Sequence, residues 1–300
     1  MRTTFLKTLL DLAQEDESIW LLTGDLGYSV LEPFAERFPN RFVNMGVAEQ
    51  NMTGLAAGLA MTGKTVFTYS IANFPIMRCL EQIRNDVCYH NLNVKVVAVG
   101  GGLSYGGLGY THHAVEDIGV LRLLPHMRVV APGDPVEVRL ATRAVAKTHG
   151  PCYLRIGKAG EPILHAHEPI FELGRAIQMH AGREVTLIST GAVLDLALAA
   201  TQKLEQSGRS VRLLSMPTVH PIDAQAIEDA ALQTGHLVTI EEHGLGGLYS
   251  AVAEQICQMR RSVRLDSVRL GSQPLHTAGT QEQLRASHGL TVDKILEACR

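Results

Sequence analysis

Apolar positions in the first half of the chain fall into short β-branched runs separated by stretches with helical spacing. The pattern predicts strands at 19–23, 40–43, 65–69, 94–99, 128–131 and 152–156. Helices are expected at 4–14, 31–38, 47–61, 75–90, 115–123 and 135–148, the last opened by Pro135 after Asp134. Strict alternation of strand and helix favours a mostly parallel sheet, because parallel neighbours need a crossover between them. Residues 158–173 hold two prolines and no clear periodicity, so they read as a connector. A second alternating series follows, with strands at 184–189, 211–216, 236–241 and 264–270 and helices at 193–207, 223–233, 247–259, 280–287 and 291–299. The expected architecture is two consecutive α/β domains, 1–157 and 174–300, joined by the linker 158–173.

Composition supports that picture and narrows the partners. With 300 residues, 46% hydrophobic and 19% charged, the chain can bury two ordinary cores. A net charge of -3 with scattered lysine and arginine leaves no footprint for nucleic acid or a membrane surface. Cys79, Cys88, Cys152, Cys257 and Cys299 are widely spaced and never form a Cys-x-x-Cys pair, which argues against disulfides and a zinc site. Met1 to Lys7 lacks a signal-peptide core, and no run reaches the roughly 18 apolar residues of a membrane span, so a cytoplasmic location is expected.

The most informative chemical position is Glu49. It carries an acid into the start of the uncharged, apolar stretch Met52–Met61, where water should be scarce. A desolvated carboxylate can hold or share a proton near neutrality, although an acid in a first helical turn also complements the helix dipole with no further role. Gly100 to His113 form a long glycine-rich loop directly after the apolar run Val94–Val99, at a strand's carboxyl end where open α/β sheets place their sites. The loop lacks Gly-x-Gly-x-x-Gly spacing, so its glycines point to close approach or movement around a ligand, not to a dinucleotide fingerprint. His112 and His113 can donate to a substrate oxygen or satisfy backbone groups in a turn. Asp25 after the first strand can orient a ligand or simply turn the chain. Phe67, Tyr69 and Phe74 can offer a flat face to a heteroaromatic ring, though aromatics near strand ends usually belong to the core. Arg78, Arg155 and Lys158 can bind an anionic substrate or pair at the surface. Glu241 to Gly247 repeat the strand, glycine turn and helix order, and that helix start can hold an anion or only reverse the chain.

In this order the segments resemble the thiamine-diphosphate enzymes of the transketolase group, which include 1-deoxy-xylulose-5-phosphate synthase. Gly46-Val47-Ala48-Glu49-Gln50-Asn51 is similar to that group's Gly-[Val/Ile]-[Ala/Arg]-Glu-[Gln/His] element. Further similarity lies in Arg78 to Asp86, Thr111-His112-His113, Leu121 to Pro125, Ala131 to Asp134, Gly150 to Arg155 and Gly279 to Leu284. The resemblance implies that Glu49 activates the coenzyme through its pyrimidine ring nitrogen, that Phe74 stacks on that ring with Phe67 and Tyr69 as further wall, and that His112 contacts the reacting sugar oxygens. The family's diphosphate and magnesium motif, Gly-Asp-Gly with a later Asn, is not in this chain, and Gly24-Asp25-Leu26-Gly27 does not replace it. The resemblance therefore implies the C-terminal subunit of a split transketolase. An N-terminal partner subunit would supply the thiamine diphosphate and Mg2+ half in a heterotetramer, and this chain would hold no metal.

Where the family loop reads Thr-His-Ala-Gly-Leu-Ser-Val-Gly-Glu-Asp-Gly-Ala-Thr-His-Gln, this chain has Gly100 for a histidine and Gly107-Leu108 for an acidic pair. These departures point to a modified, less phosphorylated sugar substrate of a specialised or secondary-metabolite pathway. Transfer of a two-carbon ketol unit is the expected reaction. Decarboxylation of pyruvate, the β-subunit role in a 2-oxo acid dehydrogenase, and a non-catalytic scaffold are the competing readings, the last opposed by retention of Glu49 and His112.

Overall fold

A computed structural model describes every residue from Met1 to Arg300. The first half supplies β1 (Ile19–Thr23), β2 (Phe42–Asn44), β3 (Thr65–Ile71), β4 (Val94–Val99), β5 (Arg128–Val130) and β6 (Cys152–Ile156). The second half supplies β7 (Ile177–His180), β8 (Val185–Ser189), β9 (Val211–Ser215), β10 (Thr218–His220), β11 (His236–Ile240) and β12 (Arg264–Val268). They form a seven-stranded sheet in the order β10-β5-β6-β4-β3-β1-β2 and a five-stranded sheet in the order β12-β11-β8-β9-β7. All pairs are parallel except the edge pairs β10 with β5 and β7 with β9. No helix is long and apolar enough to cross a membrane.

Central strands such as β4 and β6 are buried along their whole length, because helices cover both faces of the sheet. On one face Met52 and Ala56 of the helix Glu49–Met61 pack with Ile83 and Val87. On the other, Phe5 and Leu9 of the helix Arg2–Glu15 meet Val138 and Ala141 of the helix Pro135–Lys147. The second sheet is flanked in the same way by the helices Leu194–Gln206 and Val292–Ala298 on one side and Ala224–Thr234 and Leu248–Ile256 on the other.

Three differences from the sequence pattern have local causes. β7 and β10 were not expected, since each is a run of only three or four residues at a sheet edge, too short to show a period. β10 also leaves its own half of the chain and completes the first sheet, Thr218 pairing with Val130. The helix expected at 75–90 is broken into Phe74–Met77, Leu80–Gln82 and a wide π-type turn at Ile83–Cys88. The break at Arg78-Cys79 turns Arg78 towards Glu49.

The linker is pinned. Asp134 caps the helix Pro135–Lys147 through the amide of Glu137 at 2.8 Å and also accepts from the amide of Leu164 at 2.9 Å. His165 sets its Nδ1 3.1 Å from Asp134 and its Nε2 3.5 Å from Glu137. This is the chain's only histidine and carboxylate cluster with metal-like spacing, and its members hold the linker in place.

The halves also meet through a buried polar node. Arg155 on β6 donates to Asp117 at 2.7 Å, and its far nitrogen reaches the carbonyls of Ala114 at 2.8 Å and Glu242 at 3.1 Å. Tyr153 donates to the same Asp117 oxygen at 2.5 Å. His243, fully buried, accepts from the amide of Gly119 at 3.3 Å, and its Nε2 lies 3.6 Å from Asp117. Burial lowers the His243 imidazole from its ordinary 6.5 to about 4. The unfolded chain therefore binds a proton that the folded chain refuses between those values, so stability falls as pH drops from 6.5 towards 4. Urea unfolding across that range should show His243→Gln flattening this part of the pH–stability profile relative to the parent protein.

Candidate functional site

From β1 the chain passes to β2 on one side and then returns to β3 on the other, so the strand order reverses between β1 and β3. A crevice opens outside the carboxyl ends of strands at such a reversal. Gly24-Asp25 after β1, the turn after β2, Phe74 and Arg78 after β3 and the glycine-rich loop after β4 all lie at this end.

Asn44 organises the entry, its Oδ1 accepting from the amides of Asp25 and Gly46 at 3.0 Å each. The helix Glu49–Met61 starts there, and Glu49 is only 3% exposed. The sequence suggested an isolated acid, but the structure gives it a partner. Arg78 Nη1 stands 3.2 and 3.1 Å from its two oxygens, an opposite charge that offsets the desolvation of the carboxylate. The same guanidinium lies 4.2 Å from the centroid of the half-buried Phe74 ring. Phe74 in turn meets His112 edge-on, centroids 5.0 Å apart. The Asn73 amide donates to the Thr111 carbonyl at 3.3 Å, tying this stretch of the loop to the end of β3. His112 Nδ1 lies 3.0 Å from the Thr111 hydroxyl. Burial, then His113 and Arg78, lower the His112 imidazole below its ordinary value, so it is neutral at pH 7. Glu49, Arg78, Phe74 and His112 thus form one continuous patch.

Other expected site residues lie at its rim or away from it. Asp25 is solvent-facing and accepts from the Asn44 amide at 3.0 Å and the Tyr28 hydroxyl at 2.9 Å, which hold its carboxyl below the usual range. Lys158 is exposed, with its ammonium 4.9 Å from the Tyr105 ring. Phe67 and Tyr69 do not reach the crevice. They point to the opposite face of the sheet and pack on Phe5 at 6.2 and 6.0 Å, because residues two apart on a strand share a face and this one is core. His113 is fully buried, with Nε2 3.5 Å from the Gly106 carbonyl, and supports the loop from beneath. Arg155 is nearly buried and committed to Asp117 and two carbonyls, so it is held as a structural link. The start of the helix Leu248–Ile256 is not open to an anion, since Glu241 accepts from the amides of Leu248 at 2.6 Å and Tyr249 at 2.8 Å.

The glycine-rich loop admits protein side chains. A Cβ on Gly101 would lie 2.7 Å from Arg155, and one on Gly102 would lie 2.5 Å from the Glu242 carboxylate. Glu242 is itself held by Arg285 at 2.8 and 2.9 Å and by Gln281 at 3.1 and 2.9 Å. The segments 241–247 and 279–284 are each conspicuous in the sequence, but no spacing rule joins residue 242 to residue 285. Tyr105, close to both His112 and Lys158, was likewise missed, and its signal is the exchange of residue types at 100 and 105 against the family loop.

A mostly parallel α/β sheet with a buried glutamate, a half-buried aromatic and a histidine at its switch point defines an α/β protein with a candidate ligand crevice, and comparison with known proteins gives the family. Residues 1–160 match the model of the transketolase pyrimidine binding domain, and residues 174–295 match that of the transketolase C-terminal domain. The chain belongs to the transketolase family and is an α/β transferase subunit of the split kind. It is 39% identical to an apulose-4-phosphate transketolase subunit of Phocaeicola vulgatus, covering 88% of this chain and 86% of that one. It is 34% identical to the 6-deoxy-6-sulfo-D-fructose transketolase subunit SqwH of a Clostridium species, covering 99% and 92%. Similarity to 1-deoxy-D-xylulose-5-phosphate synthase of Heliobacterium modesticaldum is 31%, over 99% of this chain and 46% of that protein. A solved structure described as a split gene transketolase, inactive beta4 tetramer, superposes with a TM-score of 0.89 at 36% identity, covering 99% of this chain and 96% of that one. The family is thiamine-dependent.

Removing Arg78 strands the Glu49 carboxylate in its buried site. Arg78→Met should lower stability in urea unfolding by about 1 kcal/mol, a value reduced by the half-exposed guanidinium. Adding Glu49→Gln should recover most of that loss, a coupling that a double-mutant cycle reads directly.

Proposed function

We propose that this chain is the pyrimidine-binding subunit of a two-chain, thiamine-diphosphate-dependent transketolase that moves a two-carbon ketol unit from a ketose donor to an aldehyde acceptor. A second subunit supplies the diphosphate and Mg2+ half, in a cytoplasmic heterotetramer. The observation that carries this reading is the Glu49 carboxylate, buried at the switch point with Phe74, Arg78 and His112 around it. The donor set suits an aminopyrimidine, since a buried carboxyl oxygen can hydrogen-bond and exchange a proton with a ring nitrogen while the Phe74 face stacks beside it.

Bound thiamine diphosphate supplies the electron sink for carbon–carbon bond cleavage next to a carbonyl. The residues of this chain position the reacting groups on the pyrimidine side. Glu49 presents its carboxyl oxygens at the crevice, where they exchange a proton with a ring nitrogen, and Asp25 fixes the crevice rim through Asn44. His112, neutral at working pH, exchanges a hydrogen bond with a substrate oxygen. Arg78 and the exposed Lys158 attract an anionic group on the sugar. The relatives named for apulose-4-phosphate and for a sulfo-sugar support a specialised sugar pathway, as do the residue changes at Gly100, Gly107 and Leu108.

A pyruvate-decarboxylating synthase is the second reading, favoured by the similarity to 1-deoxy-D-xylulose-5-phosphate synthase, and carbon dioxide release from pyruvate separates the two. With the partner subunit reconstituted, Glu49→Gln should cut two-carbon transfer by about 10²-fold or more while leaving assembly intact. An unchanged rate would favour a scaffold role.

A further inference from the structure

The loop after β4 contains a packing exchange that bears on substrate choice. Gly100 has φ +80°, and a Cβ built on it would lie 2.1 and 2.4 Å from two carbons of the Tyr105 ring. No side chain at 100 can coexist with the ring, so the phenol occupies the space that a residue there would claim. The ring stands at the carboxyl end of the sheet, its centroid 6.5 Å from that of His112, with the Lys158 ammonium 4.9 Å away over its face. Its hydroxyl makes no hydrogen bond within the chain, whereas Tyr110 and Tyr153 both donate to carboxylates. Together with Gly107, Leu108, Lys158, Thr280 and Gln281, the ring lines a cleft of about 580 Å³ where the two halves of the chain meet.

We propose that Tyr105 determines acceptor length in this enzyme, its ring taking up space at the cleft beside both His112 and Lys158 so that an aldehyde shorter than a pentose is preferred. This rests on the two-chain transketolase reading above. The reasoning is steric. His112 marks the reacting end, Lys158 marks the place for an anionic group, and the ring against both takes up room that a longer chain would need. Leu108, 58% exposed on the same wall, adds apolar surface where a polyhydroxylated chain would want partners. The free phenol hydroxyl offers one hydrogen bond to the short acceptor in return.

The test uses the reconstituted pair with hydroxypyruvate as donor and two acceptors of equal charge, D-glyceraldehyde 3-phosphate and D-ribose 5-phosphate. The readout is the ratio of their kcat/KM values, with thiamine diphosphate affinity measured on each variant as a control. Tyr105→Ala should lower the preference for the short acceptor by about tenfold or more, and Tyr105→Phe should keep it within about twofold, because volume and not the hydroxyl sets length. Tyr105→Val provides a second enlargement of the cleft if the alanine variant does not fold. Retained coenzyme affinity with an unaltered ratio in the enlarged variants would overturn the proposal. Failure of the parent pair to transfer to either aldehyde would instead overturn the transketolase reading, and this proposal with it.

Discussion

A fully buried carboxylate and a nearly buried guanidinium, Asp117 and Arg155, hold the structure's working parts in register. Two charges removed from water are tolerable when they pair closely and further hydrogen bonds offset the lost hydration. Arg155 also donates through one terminal nitrogen to carbonyls from the glycine-rich loop and from the second domain. Asp117 takes a second donor from Tyr153. The requirement to satisfy this pair thereby fixes the end of the loop against β6 and the second domain against both. The Glu242, Arg285 and Gln281 network extends the same logic to the helix Gln281–Ser287. Breaking the pair from one side would leave a charge with no solvent, which is why these residues cannot also serve a diffusible substrate.

With that scaffold rigid, the crevice chemistry follows from a few side chains on element ends. Glu49 begins a helix, Phe74 and Arg78 flank the break in another, and His112 is carried on the loop that Asn73 ties to β3. Each is positioned by backbone that is itself hydrogen-bonded, so the patch is preorganised. The Glu49 and Arg78 pair has a different character from the Arg155 pair, because the guanidinium is half exposed and free to exchange partners while the carboxylate is not.

Much of this was legible in the sequence, and the exceptions are instructive. Ten of the twelve strands carry enough β-branched or apolar residues to show themselves, whereas β7 and β10 are edge strands whose pairing partner, not their composition, makes them strands. Glu49 was readable because a charge in an apolar run is a local anomaly. Arg78 was readable as a cation but not as its partner, since a break in an expected helix determines where it points. Phe67 and Tyr69 misled because strand alternation tells which residues share a face but not which face is core until the helix Arg2–Glu15 is placed. Arg155 looked like a substrate ligand for a similar reason, as the acid that neutralises it lies 38 residues away.

The central claim is that this chain carries the acid that activates a coenzyme whose diphosphate is held by another polypeptide. Proton exchange at C2 of thiamine diphosphate, followed by NMR in deuterated buffer, measures that activation before any substrate is involved. The account predicts exchange far above the free-coenzyme rate when both chains are mixed, no acceleration with this chain alone, and collapse of the acceleration in Glu49→Gln. Full acceleration by this chain alone, or undiminished exchange in the glutamine variant of the pair, would contradict it.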